Sequence, residues 1–248
     1  MKILVTDSQY RKILREEKEQ KIFKIPGLDF FNNNPFEAWK IIQKIIEKKG
    51  NPPYSIGGDL DLRGKAIKSL GNLTSVGGDL DLFKTPIESL GNLTSVGGDL
   101  WLHGTPIKSL GNLISVGGYL SLGGAPIESL GNLESVGGDL DLRRTPIKSL
   151  GNLISVGDNL ALQDSSIESL GNLESVGGDL YLFNTPIKSL GYLTSVGSDL
   201  DLENTPIKSL GKLKSVGLNL FLKNTPLSKK YTKDQIREMV NVGGKIYM

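Results

Sequence analysis

Residues 72–91 read NLTSVGGDLDLFKTPIESLG, and residues 92–111 read NLTSVGGDLWLHGTPIKSLG. Counted from its first glycine, the twenty-residue unit starts at Gly57 and recurs to Gly197, with a ninth copy from Gly217. A fixed period of this kind marks a repeat architecture, in which each unit leans on its neighbours. In the second copy the apolar residues are Leu80, Leu82, Ile87, Leu90, Leu93 and Val96. The spacing of two between Leu80 and Leu82 is that of a strand, with Asp79 and Asp81 facing the other way. The spacings of three that follow, punctuated by Pro86 and Gly91, suit a tight extended or 3₁₀-like return and not an α-helix. Stacking such coils sets equivalent strands side by side about 4.8 Å apart. No coil buries its own leucines, so the stack needs caps. The expected fold is an α/β repeat, a right-handed solenoid with ten strands in one parallel β-sheet.

LDLFKTPIESLGNL (residues 80–93) resembles the leucine-rich repeat, whose motif is Leu-x-Leu-x-x-Asn-x-Leu, and LTSVGGDL (residues 73–80) is similar to the coils of receptor L domains. The resemblance covers residues 57–226 and recurs nine times. It implies a leucine-rich-repeat solenoid that binds a protein partner through its strand face, with no catalytic site and no cofactor. The chain departs from the family at two places. Threonine stands at the usual asparagine position (Thr85, Thr105, Thr145, Thr185, Thr205, Thr225), with Lys65, Ala125 and Ser165 as exceptions, and the first position is always glycine.

The flanks read as caps: residues 1–56 as a helical N-terminal cap, 57–226 as the solenoid, and 227–248 as a C-terminal helix and strand. Pro35 suits the first turn of a helix, and Phe36, Trp39, Ile41, Ile42, Ile45 and Ile46 fall mostly on one face before Gly50 ends it. An earlier helix is expected from Ser8 to about Glu19, with Thr6 or Asp7 as its N-cap. TKDQIREMV should form a short helix capped by Thr232. The final VGGKIYM matches VGGDLDL position for position and predicts a tenth strand.

Residues 1–56 carry a net +4, residues 57–226 a net −5 and residues 227–248 a net +3. Acidic coils between basic ends are the reverse of a nucleic-acid binder, which places its cations on the extended face. The chain has no cysteine, which removes disulfides and thiolate metal sites. It shows neither a membrane-length apolar run nor a secretory leader, so a cytoplasmic protein is expected.

Positions that never vary between copies serve the stack, and those that vary are free for other work. The third position is Asp59, Asp79, Asp99, Asp139, Asp179 and Asp199, with Tyr119, Asn159 and Asn219 elsewhere. The fifth runs Asp61, Asp81, Trp101, Ser121, Asp141, Ala161, Tyr181, Asp201, Phe221, and the seventh runs Arg63, Phe83, His103, Gly123, Arg143, Gln163, Phe183, Glu203, Lys223. Exposed rings on a rigid sheet are efficient binding anchors, because they bury much area for little rotamer entropy. Phe83, Trp101, His103 and Tyr119 should form one patch, with Gly123 and Gly124 leaving a hollow bordered by Arg143 and Arg144. Tyr181, Phe183 and Phe221 form a second, smaller cluster. The third-position aspartates admit three readings: bonds to local turn backbone, a basic partner or phosphate mimicry, and a divalent cation, which a flat ladder serves poorly. At the twelfth position, Lys68, Glu88, Lys108, Glu128, Lys148, Glu168 and Lys188 alternate in sign and favour register.

An enzyme is not expected. His103 is the sole histidine, and no nucleophile–base set can be built around it. The leading expectation is a protein-binding module, monomeric on its own. The second is a structural or assembly piece, such as a virion or scaffold component. Ice or surface binding through the threonine columns is a third, opposed by their inward direction in the family. The uniform repeats and short leading segment also resemble proteins of large tailed phages, which implies residence in host cytoplasm or virion, with a host defence or virion protein as partner.

Overall fold

A computed structural model describes residues 22–27 and 35–248. The coils stack as predicted, with all strand pairs parallel and in register apart from one shift at Tyr54/Ser55, where Tyr54–Ile56 meets Leu73–Val76. Leu60–Asp61, Leu80–Asp81 and their equivalents to Leu220–Phe221, together with Ile246–Tyr247, make a ten-stranded sheet. Leu80 pairs with Leu100 and Asp81 with Trp101, and so on along the stack. Leu80, Leu82, Ile87, Leu90, Leu93 and Val96 all lie in the continuous core.

The expectation of a single sheet is corrected by a second one. Eleven strands line up along another side of the stack: Phe23–Ile25, Tyr54–Ile56, Leu73–Val76, then the Ser-Val dipeptide of each coil to Ser215–Val216, and Asn241–Val242. Each dipeptide is too short to display a period of two, so in sequence it reads as part of the return. What makes it a strand is close stacking. A Cβ on Gly97 would come within 2.1 Å of the Gly77 carbonyl oxygen, so the invariant first glycine lets adjacent coils touch backbone to backbone. The Gly97 amide then donates to Val76 O at 2.8 Å.

The threonine column is buried. Thr85 is 1% exposed, and its hydroxyl donates to Leu82 O at 2.8 Å. Thr105, Thr145, Thr185, Thr205 and Thr225 repeat the bond. An inward ladder that satisfies the chain's own carbonyls offers nothing to a surface. The charge alternation is realised in two pairs, Lys108–Glu128 at 3.2 Å and Lys148–Glu168 at 3.6 Å, each worth at most about 1 kcal/mol while exposed.

At the N-terminal end, α1 (Pro35–Lys48) covers the first coil. Trp39, Ile42, Ile45 and Ile46 are buried, with Phe36 and Ile41 packed against them. The predicted Ser8–Glu19 helix lies outside the described residues. Tyr54 fastens α1 to the stack: its hydroxyl donates to Leu70 O at 2.7 Å and accepts from Gln43 Nε2 at 2.6 Å. At the other end, Thr225 caps α2 (Pro226–Lys230). Thr232 caps α3 (Lys233–Met239) in a reciprocal box with Gln235. The tenth coil follows as expected, with Val242 beside Val216 and Tyr247 beside Phe221. Arg237 reaches back to donate to Val242 O and Gly244 O at 2.8 and 2.7 Å. Among the described residues no helix is long and apolar enough to cross a membrane.

Candidate binding face

The outward surface of the ten-stranded sheet is organised by its aspartates. At the third position, one carboxylate oxygen accepts the amide of the residue twenty places on. Asp59 serves Asp79 N at 2.9 Å, Asp79 serves Asp99 N at 2.8 Å, and Asp99 serves Tyr119 N at 2.7 Å. Tyr119 has no acceptor to pass on. The column resumes from Asp139 to Asn159 N, then through Asn159, Asp179, Asp199 and Asn219 to Lys245 N. The local-turn reading is therefore corrected: the acceptor serves the neighbouring coil, because parallel stacking brings that coil's amide over it. Among the described residues no three acidic or histidine side chains are grouped to hold a metal ion.

The fifth position carries the local role. Asp61, Asp81, Asp141 and Asp201 each accept the amide two residues on, at 2.9–3.1 Å, and close the turn after the strand. Trp101, Tyr181 and Phe221 replace that carboxylate with a half-buried ring. The eighth position is left-handed throughout. Gly64, Gly104, Gly124, Asp164, Asn184, Asn204 and Asn224 tolerate it, but Lys84 (φ 54°) and Arg144 (φ 55°) also adopt it. Gly124 thus suits a left-handed backbone, and the space beside it is open.

The first patch assembles in part. Phe83 and His103 stack with centroids 5.7 Å apart and planes 11° from parallel, and Lys84 Nζ lies 4.9 Å from the Phe83 centroid. Trp101 sits between Asp81 and Ser121 in the ladder. His103 Nδ1 is 2.5 Å from Gly123 O. A carbonyl only accepts, so Nδ1 carries the proton and faces the next coil. The space beside Gly123 is filled, since a Cβ there would meet Asp141 Oδ2 at 2.7 Å. Arg143 is occupied as well: its Nε and Nη2 bond the Asp141 carboxylate at 2.9 and 2.7 Å. Burial pushes Asp141 up, but the hydrogen bonds and charge of Arg143 outweigh it and hold the carboxyl below its ordinary range. Arg144 is exposed.

The real depression lies one coil further. It has a volume of about 200 Å³ and is lined by Tyr119, Asp139, Asp141, Arg143, Asn159 and Ala161. The small side chain of Ala161 opens it. Burial, reinforced by the Asp141 charge, raises the Tyr119 hydroxyl above its usual value.

The second cluster divides. Tyr181 donates to Asp179 Oδ2 at 2.7 Å, and that bond, with burial, pushes its hydroxyl up to about 12. Phe183 is half-buried on the same coil. Asp201 separates Tyr181 from Phe221 in the ladder. Phe221 stacks instead on Tyr247, at 4.7 Å and 6°. Tyr247 was legible in sequence, because aligning VGGKIYM with VGGDLDL puts it at the fifth position. On the eleven-stranded face, shallow grooves of about 530 and 450 Å³ run along the Ser-Val-Gly ladders. They present small side chains and backbone without a projecting anchor.

The fold defines a twenty-residue-repeat parallel β-solenoid, a repeat protein with one ring-bearing, acidic face. Compared with known proteins, the chain matches no protein-family model, no curated protein and no solved structure.

Proposed function

We propose that this chain is a non-catalytic protein-binding module of the leucine-rich-repeat kind, using the ten-stranded face around Phe83, Trp101, His103 and Tyr119. One observation carries the reading. Where four coils use a fifth-position aspartate to close the turn, Trp101 gives up that bond for a half-exposed ring. An unmade hydrogen bond of this sort costs about 0.5–1.5 kcal/mol, and the ring that replaces it on the coil of His103 stays half-exposed. A solvent-facing ring gained at the expense of scaffold is accounted for by a partner. The resemblance to phage proteins supports a host or virion protein met in the cytoplasm.

The test is affinity capture with quantitation, comparing wild type, Trp101→Ala and Glu88→Ala, the last exposed and off the strand face. Truncating a central aromatic anchor costs about 2 kcal/mol, near thirtyfold in Kd. Trp101→Ala should therefore lose the partner while Glu88→Ala retains it. Equal retention by both would exclude this patch. The flat Ser-Val-Gly grooves favour a second reading as an assembly piece, which self-association of the isolated chain would support.

A further inference from the structure

We infer that the strand face across the coils bearing Asp164, Tyr181 and Asp201 is a docking surface for a basic, extended polypeptide segment. The inference rests on the strand-face reading above and names the chemistry of a partner there.

The outward positions of these three coils hold Asp164, Asp179, Asp199, Asp201 and Glu203 and no lysine or arginine. The other fifth-position aspartates of the face are neutralised from within. Arg63 pairs with Asp61 and Asp81 at 2.8 and 3.2 Å, and Arg143 pairs with Asp141 at 2.7 Å. Among the described residues, none of the five carboxylates has such a partner. Asp179 is used by Tyr181, whose ring is thereby held in place beside Phe183. Among the described residues, Asp201 accepts only the Glu203 amide, at 2.9 Å. Burial raises Asp201, and the charges of Glu203 and Asp199 raise it further. The crowding is the opposite of the situation at Asp141 and would be relieved by a cation arriving from outside.

Three coils span about 10 Å, the length of about three residues of extended chain. Arginine suits the site best, because its planar head both meets carboxylates and stacks on rings such as Tyr181 and Phe183. Nucleic acid is repelled. A second copy of the chain, through its own basic ends, is the competing occupant.

The test is fluorescence anisotropy of labelled octa-arginine against labelled octa-glutamate. Octa-arginine should bind and octa-glutamate should not. The double variant Asp201→Asn/Glu203→Gln should weaken octa-arginine about tenfold, and Tyr181→Ala/Phe183→Ala should weaken it with the charge unchanged. Glu88→Gln/Glu134→Gln, which changes net charge equally off this face, should shift it less than about twofold. Equal weakening by the two charge variants, or indifference to peptide sign, overturns the proposal. So does a dimer of the chain alone that dissolves in Asp201→Asn/Glu203→Gln. Trp101→Ala should leave octa-arginine binding unchanged, so failure here and failure of the Trp101 patch are read separately.

Discussion

Two aspartates at the same repeat position should respond to amidation with opposite signs. Asp141 and Asp201 both stand fifth in their coils, and both accept the amide two residues on, at 3.0 and 2.9 Å. Asparagine keeps that acceptor, so the substitution removes charge and little else. At Asp141 it weakens two bonds from Arg143, of 2.9 and 2.7 Å, to a residue only 7% exposed. A hydrogen bond to a charged group contributes about 1.5–3 kcal/mol. Because the Arg143 side chain is 47% exposed, screening reduces the expected loss to about 1–1.5 kcal/mol. For a chain of this size 1 kcal/mol moves Tm by about 2–4 °C. Asp141→Asn should thus melt about 2–6 °C lower at neutral pH.

At Asp201 the same change removes like-charge crowding with Asp199 and Glu203, worth about 0.5 kcal/mol, and Tm should rise by about 1–2 °C. The pH dependence follows from the direction of each shift. The lowered Asp141 contributes stability that is present above the ordinary carboxylate range and lost only as pH falls through its depressed pKa. The raised Asp201 imposes a penalty above its pKa that disappears as pH falls through it. On acidification the Asp201→Asn gain should therefore vanish first, and the Asp141→Asn loss should persist to lower pH. Thermal scans followed by circular dichroism across this range are the assay. Shifts of the same sign at neutral pH would refute the argument.

Two further outcomes concern the backbone and the cap. Arg144→Asn, which installs the residue that three other coils use at this left-handed position, should stabilise the chain by about 0.5–1 kcal/mol; an unchanged or lower Tm would show that Arg144 is not strained. Deleting residues 228–248 removes buried Ile236, Val240, Val242 and Ile246 and bares two sheet edges. The truncated chain should aggregate or lose cooperative unfolding, and a monomer with unchanged melting would contradict the capping role.

Much of this protein is determined one coil at a time, and that part was legible in the sequence. The period, the burial of Leu80 and Leu82, the Thr232 cap and the final strand all follow from residue type and spacing along the chain, and the inward threonines from the resemblance to the leucine-rich repeat. The remainder is set between coils, among residues twenty apart that only stacking brings together. Ser95 and Val96 are a strand because Gly97 lets the next coil approach, and no alternation within two residues could reveal that. Asp79 looks like a turn residue until the Asp99 amide arrives above it. Gly123 suggests a hollow, yet Asp141 from the following coil fills it and takes Arg143 along, so the opening appears at Ala161. Phe221 was grouped with Tyr181, but the coil of Asp201 intervenes and the ring turns to Tyr247. Spacing along a chain specifies which face a side chain takes. Which neighbour it meets there, and whether its charge is answered, is decided by the packing distance between coils.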